Sequence, residues 1–197
     1  MQHPRSKDDG QPHSRRYAIG MANRIVAGAI AGAAGVVALN VAGYLDMLVR
    51  GRPASDMPAR VAGKLADEMG VPLDFDAGDV ELEPEDDEPE GDDEDETGSD
   101  SDAAANRREA IGALLGMANG IGIGVAYGIA RLILPRPPAW LAGAAIGAAA
   151  MAASDYPATR LGLTEPRDWS ATDWVSEVVP HMAYGIVTAI TFEAARD

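Results

Sequence analysis

A stripe of polar side chains on the last apolar segment of the chain is the feature best suited to chemistry. Its members recur at helical spacing along an otherwise apolar stretch: Glu177, His181, Tyr184, Thr188 and Thr191. At about 100° per residue, these side chains lie within roughly 40° of one line along a helix. Ionisable groups inside a membrane are costly and often mark a pathway. If this segment crosses a membrane, the stripe favours a proton or cation site with His181 as the titrating group.

Further polar residues are placed to join that stripe, because the first and third apolar segments end on the side where the last one begins. The candidate polar or ion site comprises Asn40, Asp46, Asp155, Glu177, His181 and Tyr184. A structural interpretation stands beside it. Glu177 lies early in its helix, where an acid favours the helix dipole. His181 and Tyr184 are equally suited to hydrogen bonds between helices, so both interpretations stay open.

Other classes of chemistry find no support in the sequence. The absence of cysteine excludes disulfides, thiolate metal sites and cysteine nucleophiles. Of the three histidines, only His181 lies in an apolar segment, so no metal site is predicted. No phosphate loop, nucleophile elbow, zinc-protease helix or dinucleotide fingerprint is present. We therefore expect neither an enzyme nor a bound cofactor.

The elements that must position the polar groups are four apolar segments, each of which is predicted to span a bilayer. They cover residues 24–49, 108–134, 138–156 and 172–194. A membrane span needs about 20 apolar residues. Ser170 and Asp173 have the spacing of a capping box, which predicts that the last helix begins near Ala171. The predicted fold is all-α: a polytopic membrane bundle of four helices.

Glycines at helical spacing indicate how these helices would pack. A row with a period of four runs along the second segment, at Gly112, Gly116, Gly120, Gly124 and Gly128. The first and third segments carry the same spacing at Gly28 and Gly32 and at Gly143 and Gly147. In lipid such residues let neighbouring helices approach closely. We predict packing within the chain, with a homo-oligomer or an unidentified membrane partner as the alternative.

Two short matches indicate an internal repeat. Residues 27–34 resemble residues 142–149, and residues 125–129 resemble residues 182–186. The order of the matches makes the first helix pair resemble the second. A duplicated helical hairpin, with its two copies related by an axis along the membrane normal, would give a 2+2 arrangement.

The remaining segments are polar. Residues 1–23 are predicted to be a mobile basic tail, in which Ser14–Tyr17 fits the positive flank of an uncleaved helix better than a twin-arginine export signal. The loop 50–73 should hold a short amphipathic helix that begins after Asp56, has Pro58 in its first turn and stops at Gly70. A further loop covers 157–171.

An acidic loop is predicted at 74–107, and its first 29 residues hold seventeen of the thirty-one acidic residues. Such a composition predicts disorder. A solvated loop is the simplest interpretation, with cation capture or docking to a basic partner as alternatives. The acidity argues against nucleic acid as a partner.

The predicted orientation in the membrane rests on the first helix, because a count of basic residues does not decide it. Each side of the membrane would carry eight Lys and Arg residues. An N-terminus in the cytoplasm would place there Arg5, Lys7, Arg15, Arg16, Arg24, Arg131, Arg136 and Arg196. The flank of the first helix usually dominates, so we predict a cytoplasmic N-terminus in a cell membrane. Trp140 and Trp174 would then anchor opposite interfaces.

The helical plan rich in Gly and Ala, together with the segment Pro180-His181-Met182-Ala183-Tyr184-Gly185, resembles small prokaryotic membrane proteins of the YagU-like group. The resemblance covers the helices only. It implies a polytopic inner or plasma-membrane protein with no established activity and no catalytic residues. The sequence thus predicts a structural or accessory membrane protein, with a small transporter or channel subunit for protons or cations as the alternative.

Overall fold

A computed structural model describes residues 11–73 and 96–196 of the chain. The described residues form helices and connecting turns, with no strand among them. The helices are α1 (Gln11–Arg50), α2 (Met57–Met69), α3 (Glu96–Ala130), α4 (Ala139–Arg160) and α5 (Ala171–Ala195), with a short 3-10 helix at Pro166–Asp168. The predicted all-α class is confirmed.

Three of these helices are long and apolar enough to cross a membrane: Ala18–Arg50, Asp102–Ala130 and Ala171–Ala195. This supports the prediction of a membrane-spanning chain. Helix α4 does not reach the same apolarity. Small Ala and Gly residues fill its middle, and Ser154, Asp155 and Tyr156 follow within the helix. A fourth span therefore stays a prediction.

Two helices begin earlier than their apolar segments do. Helix α1 begins at Gln11, inside the predicted tail 1–23, and α3 begins at Glu96, inside the predicted disordered loop 74–107. Adding residues to an existing helix is far easier than nucleating one, so helix extends outward from an apolar span. In α3, acidic residues in the first turns and a run of alanine at 103–105 favour the extension. Residues 1–10 and 74–95 lie outside the described part of the chain.

Local signals in the sequence set the other helix boundaries. Asp56 precedes α2 and Pro58 lies in its first turn, and Gly70 ends the helix with φ of +66°. The capping box of Ser170 and Asp173 is present, and α5 begins at Ala171 as predicted. Helix α4 runs past the predicted end at 156 and through Pro157, ending at Arg160.

The long helices pack in the order α3, α1, α5, α4, so that α1 and α5 are each flanked on two sides. Neighbouring helices run antiparallel. Along α1 the contacts with α3 pass from Arg24 opposite Gly128 to Gly32 opposite Gly120. Helix α2 packs on α3 through Ala62, Gly63 and Ala66. Its larger apolar residues stay at least partly exposed: Met57, Val61, Leu65 and Met69.

The backbones of helices α1 and α3 are in direct contact. A Cβ atom added to Gly28 would stand 2.5 Å from the carbonyl oxygen of Gly124. One added to Gly124 would stand 2.6 Å from the Cα atom of Gly32. Real Cβ atoms essentially never come within 3.0 Å of another heavy atom. Only glycine therefore allows this separation of the two helices.

Helices α4 and α5 meet in the same way. A Cβ atom added to Gly143 would stand 3.0 Å from the Cα atom of Ile186. One added to Gly185 would stand 2.5 Å from the backbone nitrogen of Gly147, and Gly147 itself faces the carbonyl oxygen of His181. Both GxxxG pairs are therefore used inside the chain.

The glycine row of α3 does not face a single neighbour. Gly120, Gly124 and Gly128 face α1, whereas Gly112 faces the backbone of Pro58 on α2. Gly116 has no atom within 4 Å of where a Cβ atom would stand. The row is continuous in sequence but serves two contacts and leaves one position open, because α2 covers only the first turns of the span.

Tyr184 is the large side chain at the centre of the packing, with 1% of its surface exposed. Its ring lies where a Cβ atom of Gly35 would be and also approaches Gly120. Its hydroxyl group donates a hydrogen bond of 2.6 Å to the Gly120 carbonyl oxygen. One tyrosine thus joins α1, α3 and α5 where glycine makes room for it.

Alanine at Gly124 should destabilise the protein, because the added methyl group meets the backbone of α1. The matched control is Gly116→Ala on the same helix, where the space is open and alanine also favours helix. We expect Gly124→Ala to lose about 1–3 kcal/mol in the free energy of unfolding. Gly116→Ala should be neutral or stabilising. Thermal unfolding in detergent measures both, and equal stability of the two variants would contradict the packing.

Removing the Tyr184 hydroxyl group should cost about 1 kcal/mol, since Tyr184→Phe leaves the Gly120 carbonyl oxygen without this bond. Tyr127→Phe is the control. The Tyr127 ring packs edge-on against Phe192 at 5.0 Å, and its hydroxyl makes no hydrogen bond within the described part of the chain. Unfolding in detergent should separate the two variants. If Tyr127→Phe costs as much, the hydrogen bond is not the cause.

Candidate functional site

The polar stripe of α5 lies on the inner face of the helix. His181, Tyr184 and Thr188 are buried, while Glu177, nearer the start of the helix, keeps 34% of its side-chain surface exposed. The stripe has two parts that lie at different levels along the helix. Tyr184 pairs with α3 at the centre, and Glu177 and His181 turn toward the last turns of α4.

Four residues from two helices form what we call the α4–α5 polar cluster: Ser154, Asp155, Glu177 and His181. The His181 Nδ1 atom lies 2.7 Å from the Glu177 carbonyl oxygen and 3.5 Å from its carboxylate. Because a carbonyl oxygen only accepts, Nδ1 carries a proton. The other ring nitrogen, Nε2, lies 3.4 Å from the Ser154 hydroxyl oxygen.

The carboxyl groups of Asp155 and Glu177 lie near each other across the same helix contact. The α4–α5 polar cluster therefore places two carboxyl groups and an imidazole close together. This is an arrangement able to take up and release protons.

The structure does not bring Asp46 into that cluster. Its carboxylate accepts hydrogen bonds from Arg50 and Arg52 at the end of α1. Arg50 also donates to the Ser176 hydroxyl group on α5, so this ion-pair group ties the end of α1 to the start of α5. The reason is local, because arginines four and six residues beyond Asp46 reach its carboxylate.

Asn40 also lies apart from the cluster. It is exposed on α1, and Val37, Val41 and Tyr44 beside it are exposed as well. The helical phase of α1 turns this face away from α3 and α5. The predicted gathering of six polar residues thus reduces to Asp155 and Glu177 with His181, joined by Ser154, which the sequence analysis did not select.

No group of three or more metal-ligating side chains has the geometry to hold a metal ion among residues 11–73 and 96–196. Two cavities are lined by residues outside the α4–α5 polar cluster. One, of about 310 Å³, is an open hollow beside Ala42, Asp46 and Val179. The other, of about 190 Å³, lies at the opposite end of the helices, beside Tyr127 and Glu193.

A second polar group, at that opposite end, was missed by sequence reasoning. Glu193 accepts from Arg131 at 3.2 Å and from Arg136 at 2.6 Å, and it lies 3.0 Å from Arg196. Arg24 donates to the Arg131 carbonyl oxygen at the end of α3. The sequence analysis used these arginines only to assign orientation. The available signal was the position of Glu193, an acid in the last turn of an apolar helix.

Searches of protein-family models, of curated proteins and of solved structures return no match to this chain. The resemblance to YagU-like proteins receives neither support nor contradiction from them. The chain's own packing, polar contacts and charges are therefore the basis for any function proposed for it.

Proposed function

We propose that the chain is a structural or accessory membrane protein: a four-helix bundle that associates with a second copy through an open face of α3. The observation that carries the proposal is how its small residues are used. The glycines at the contacts with α1 and α5 are covered by atoms of the neighbouring helix, while Gly122 on α3 meets no atom within 4 Å. Helices associate in lipid through such small residues.

The associating face consists of three small residues on successive turns of α3, which we call the open α3 face: Ala118, Gly122 and Ala126. All three are exposed. They lie on the side of α3 opposite its contact with α1, at the i, i+4 spacing that permits close helix approach. Exposed Leu115 and Ile129 flank them and would pack against a partner helix.

A 2+2 repeat accounts for the internal packing. Gly124 sits against the carbonyl oxygen of Gly28 and the backbone of Gly32, and Gly185 sits against the same atoms of Gly143 and Gly147. The contact equivalence supports a duplicated hairpin. It pairs Gly185 with Gly124, one turn from the sequence match, which aligned Gly185 with Gly128.

The setting we propose is a prokaryotic cell membrane with the N-terminus in the cytoplasm. Four helices with α4 as the shortest span would place the acidic segment on the outside. Trp140 lies in the first turn of α4 and Trp174 in the first turn of α5. Because α4 and α5 run antiparallel, the two tryptophans lie at opposite ends, as interfacial anchors do.

A cysteine pair across the open α3 face tests association. The chain has no cysteine, so Ala126→Cys is unique. Oxidation in native membranes should give a disulfide-linked dimer of the chain. Val37→Cys is the control, because Val37 is 62% exposed on α1, away from this face. Monomer alone at Ala126, or equal dimer at both positions, contradicts the proposal.

A second candidate is proton or cation movement, and the α4–α5 polar cluster is the observation that favours it. Two carboxyl groups and His181 close together between helices are typical of proton relays. Flux through liposomes carrying the purified protein should then fall to background with Glu177→Gln, while Asp168→Asn, exposed in the α4–α5 connection, stays like wild type. Wild-type flux equal to that of empty liposomes would reject this candidate.

A further inference from the structure

We propose that the end of the helices around Arg131 binds the phosphate headgroup of an anionic lipid. The site lies between α3, α4 and α5, at the end opposite the α4–α5 polar cluster. Lipid binding at this site is a property beyond the proposed accessory role. It depends only on the membrane setting and not on the association of two copies. Three observations carry it: an excess of positive charge, a small cavity beside that charge, and its level in the membrane.

The first observation is the charge. Arg131, Arg136 and Arg196 all reach the single carboxylate of Glu193. Arg24 adds a fourth guanidinium beside Arg131. Even with Arg196 left out of the count, three guanidinium groups surround one carboxylate, which leaves an excess of positive charge. Guanidinium groups suit phosphate because their planar donors match its oxygen atoms.

The second observation is that the charge is held in place. Only 5% of the Arg131 side chain is exposed, and its Nη1 atom donates to the carbonyl oxygens of Leu134 at 3.2 Å and Pro135 at 2.6 Å. Its Nε atom is buried without a hydrogen-bond partner among the described residues. Arg136, in contrast, is 59% exposed at the rim. Arg131 is thus fixed below the surface, while Arg136, which also binds Glu193, is the exposed guanidinium at the rim.

The third observation is the cavity of about 190 Å³ next to these groups. Arg136 and Glu193 line one side together with Tyr127, while the other wall is apolar, formed by Pro137, Ala139, Ala142 and Ala189. This volume corresponds to roughly six water molecules at about 30 Å³ each. It has room for a phosphate-sized group and a few carbon atoms. A polar rim above an apolar wall matches a lipid better than a soluble anion.

The level of the site agrees with a headgroup. It lies where α3 and α5 end and α4 begins, beside Trp140, which is 72% exposed in the first turn of α4. Exposed tryptophan at a helix end is typical of the headgroup region. Basic pockets between membrane helices bind anionic headgroups there.

The test compares lipid binding by native mass spectrometry of the full chain in detergent. Phosphatidylglycerol should bind wild type at discrete stoichiometry, phosphatidylcholine should not, and inorganic phosphate should not compete at similar concentrations. Arg136→Gln should weaken phosphatidylglycerol binding about fivefold, the effect of one basic residue at an anionic surface. Arg160→Gln, which changes an exposed arginine at the other end of α4, should bind like wild type.

A second variant separates the pocket from general charge attraction. Ala139→Phe fills the apolar wall without changing any charge, and phosphatidylglycerol binding should again weaken. Equal binding by wild type, Arg136→Gln and Ala139→Phe overturns the proposal. Full competition by inorganic phosphate overturns the lipid as the source of the phosphate. Circular dichroism of each variant shows that the helices are intact. Whether Ala126→Cys forms a dimer does not affect these lipid-binding results, so the two proposals can fail independently.

Discussion

The contact of helix backbone with helix backbone, with no side chain between them, is the constraint on which the rest of this structure depends. Glycine costs a helix about 1 kcal/mol relative to alanine in water, so rows of it are a burden to a soluble protein. In lipid the backbone must satisfy its own hydrogen bonds, and the helix persists. The glycines then fix how closely α1 approaches α3 and how closely α4 approaches α5. Such contacts cannot be relieved by rotating a side chain, because the atoms that meet belong to the main chain. The separation of the helices therefore sets which side chains fit between them.

Tyr184 shows how the polar groups follow from that separation. The ring occupies space that a side chain at position 35 would take, and the hydroxyl group meets the Gly120 carbonyl oxygen because α3 lies so close. The charged groups, in contrast, collect at the two ends of the helices. Asp46 with Arg50 marks one end, and Glu193 with Arg131 marks the other. An uncharged hydrogen bond lies at the centre and ion pairs lie at the ends, as expected when charge is expensive in hydrocarbon.

Local signals in the sequence predicted local structure well. The capping box placed the start of α5, and Gly70 placed the end of α2. Periodicity assigned faces to helices but could not name the neighbour of each face. That is why the glycine row, expected to act as one surface, divides between α1 and α2 and leaves Gly116 open. For the same reason Asn40 lies toward the same end of the helices as Asp155 but on another face of its helix. Whether two polar residues meet depends on helix rotation, which the packing of the whole chain determines.

The two ends of the helices also differ in a way that a count of basic residues conceals. The predicted sides tie at eight Lys and Arg each, so the count alone assigns no orientation. The ion pairs at the two ends of the helices differ. At the end of α1, Arg50 and Arg52 share Asp46, and Asp173 lies near Arg50, so positive charge is largely matched. At the other end three guanidinium groups share one carboxylate. Positive charge left over at a helix end is attracted to anionic lipid, and the cytoplasmic leaflet is the anionic one. Pairing, rather than number, is therefore the reason for proposing a cytoplasmic N-terminus for α1.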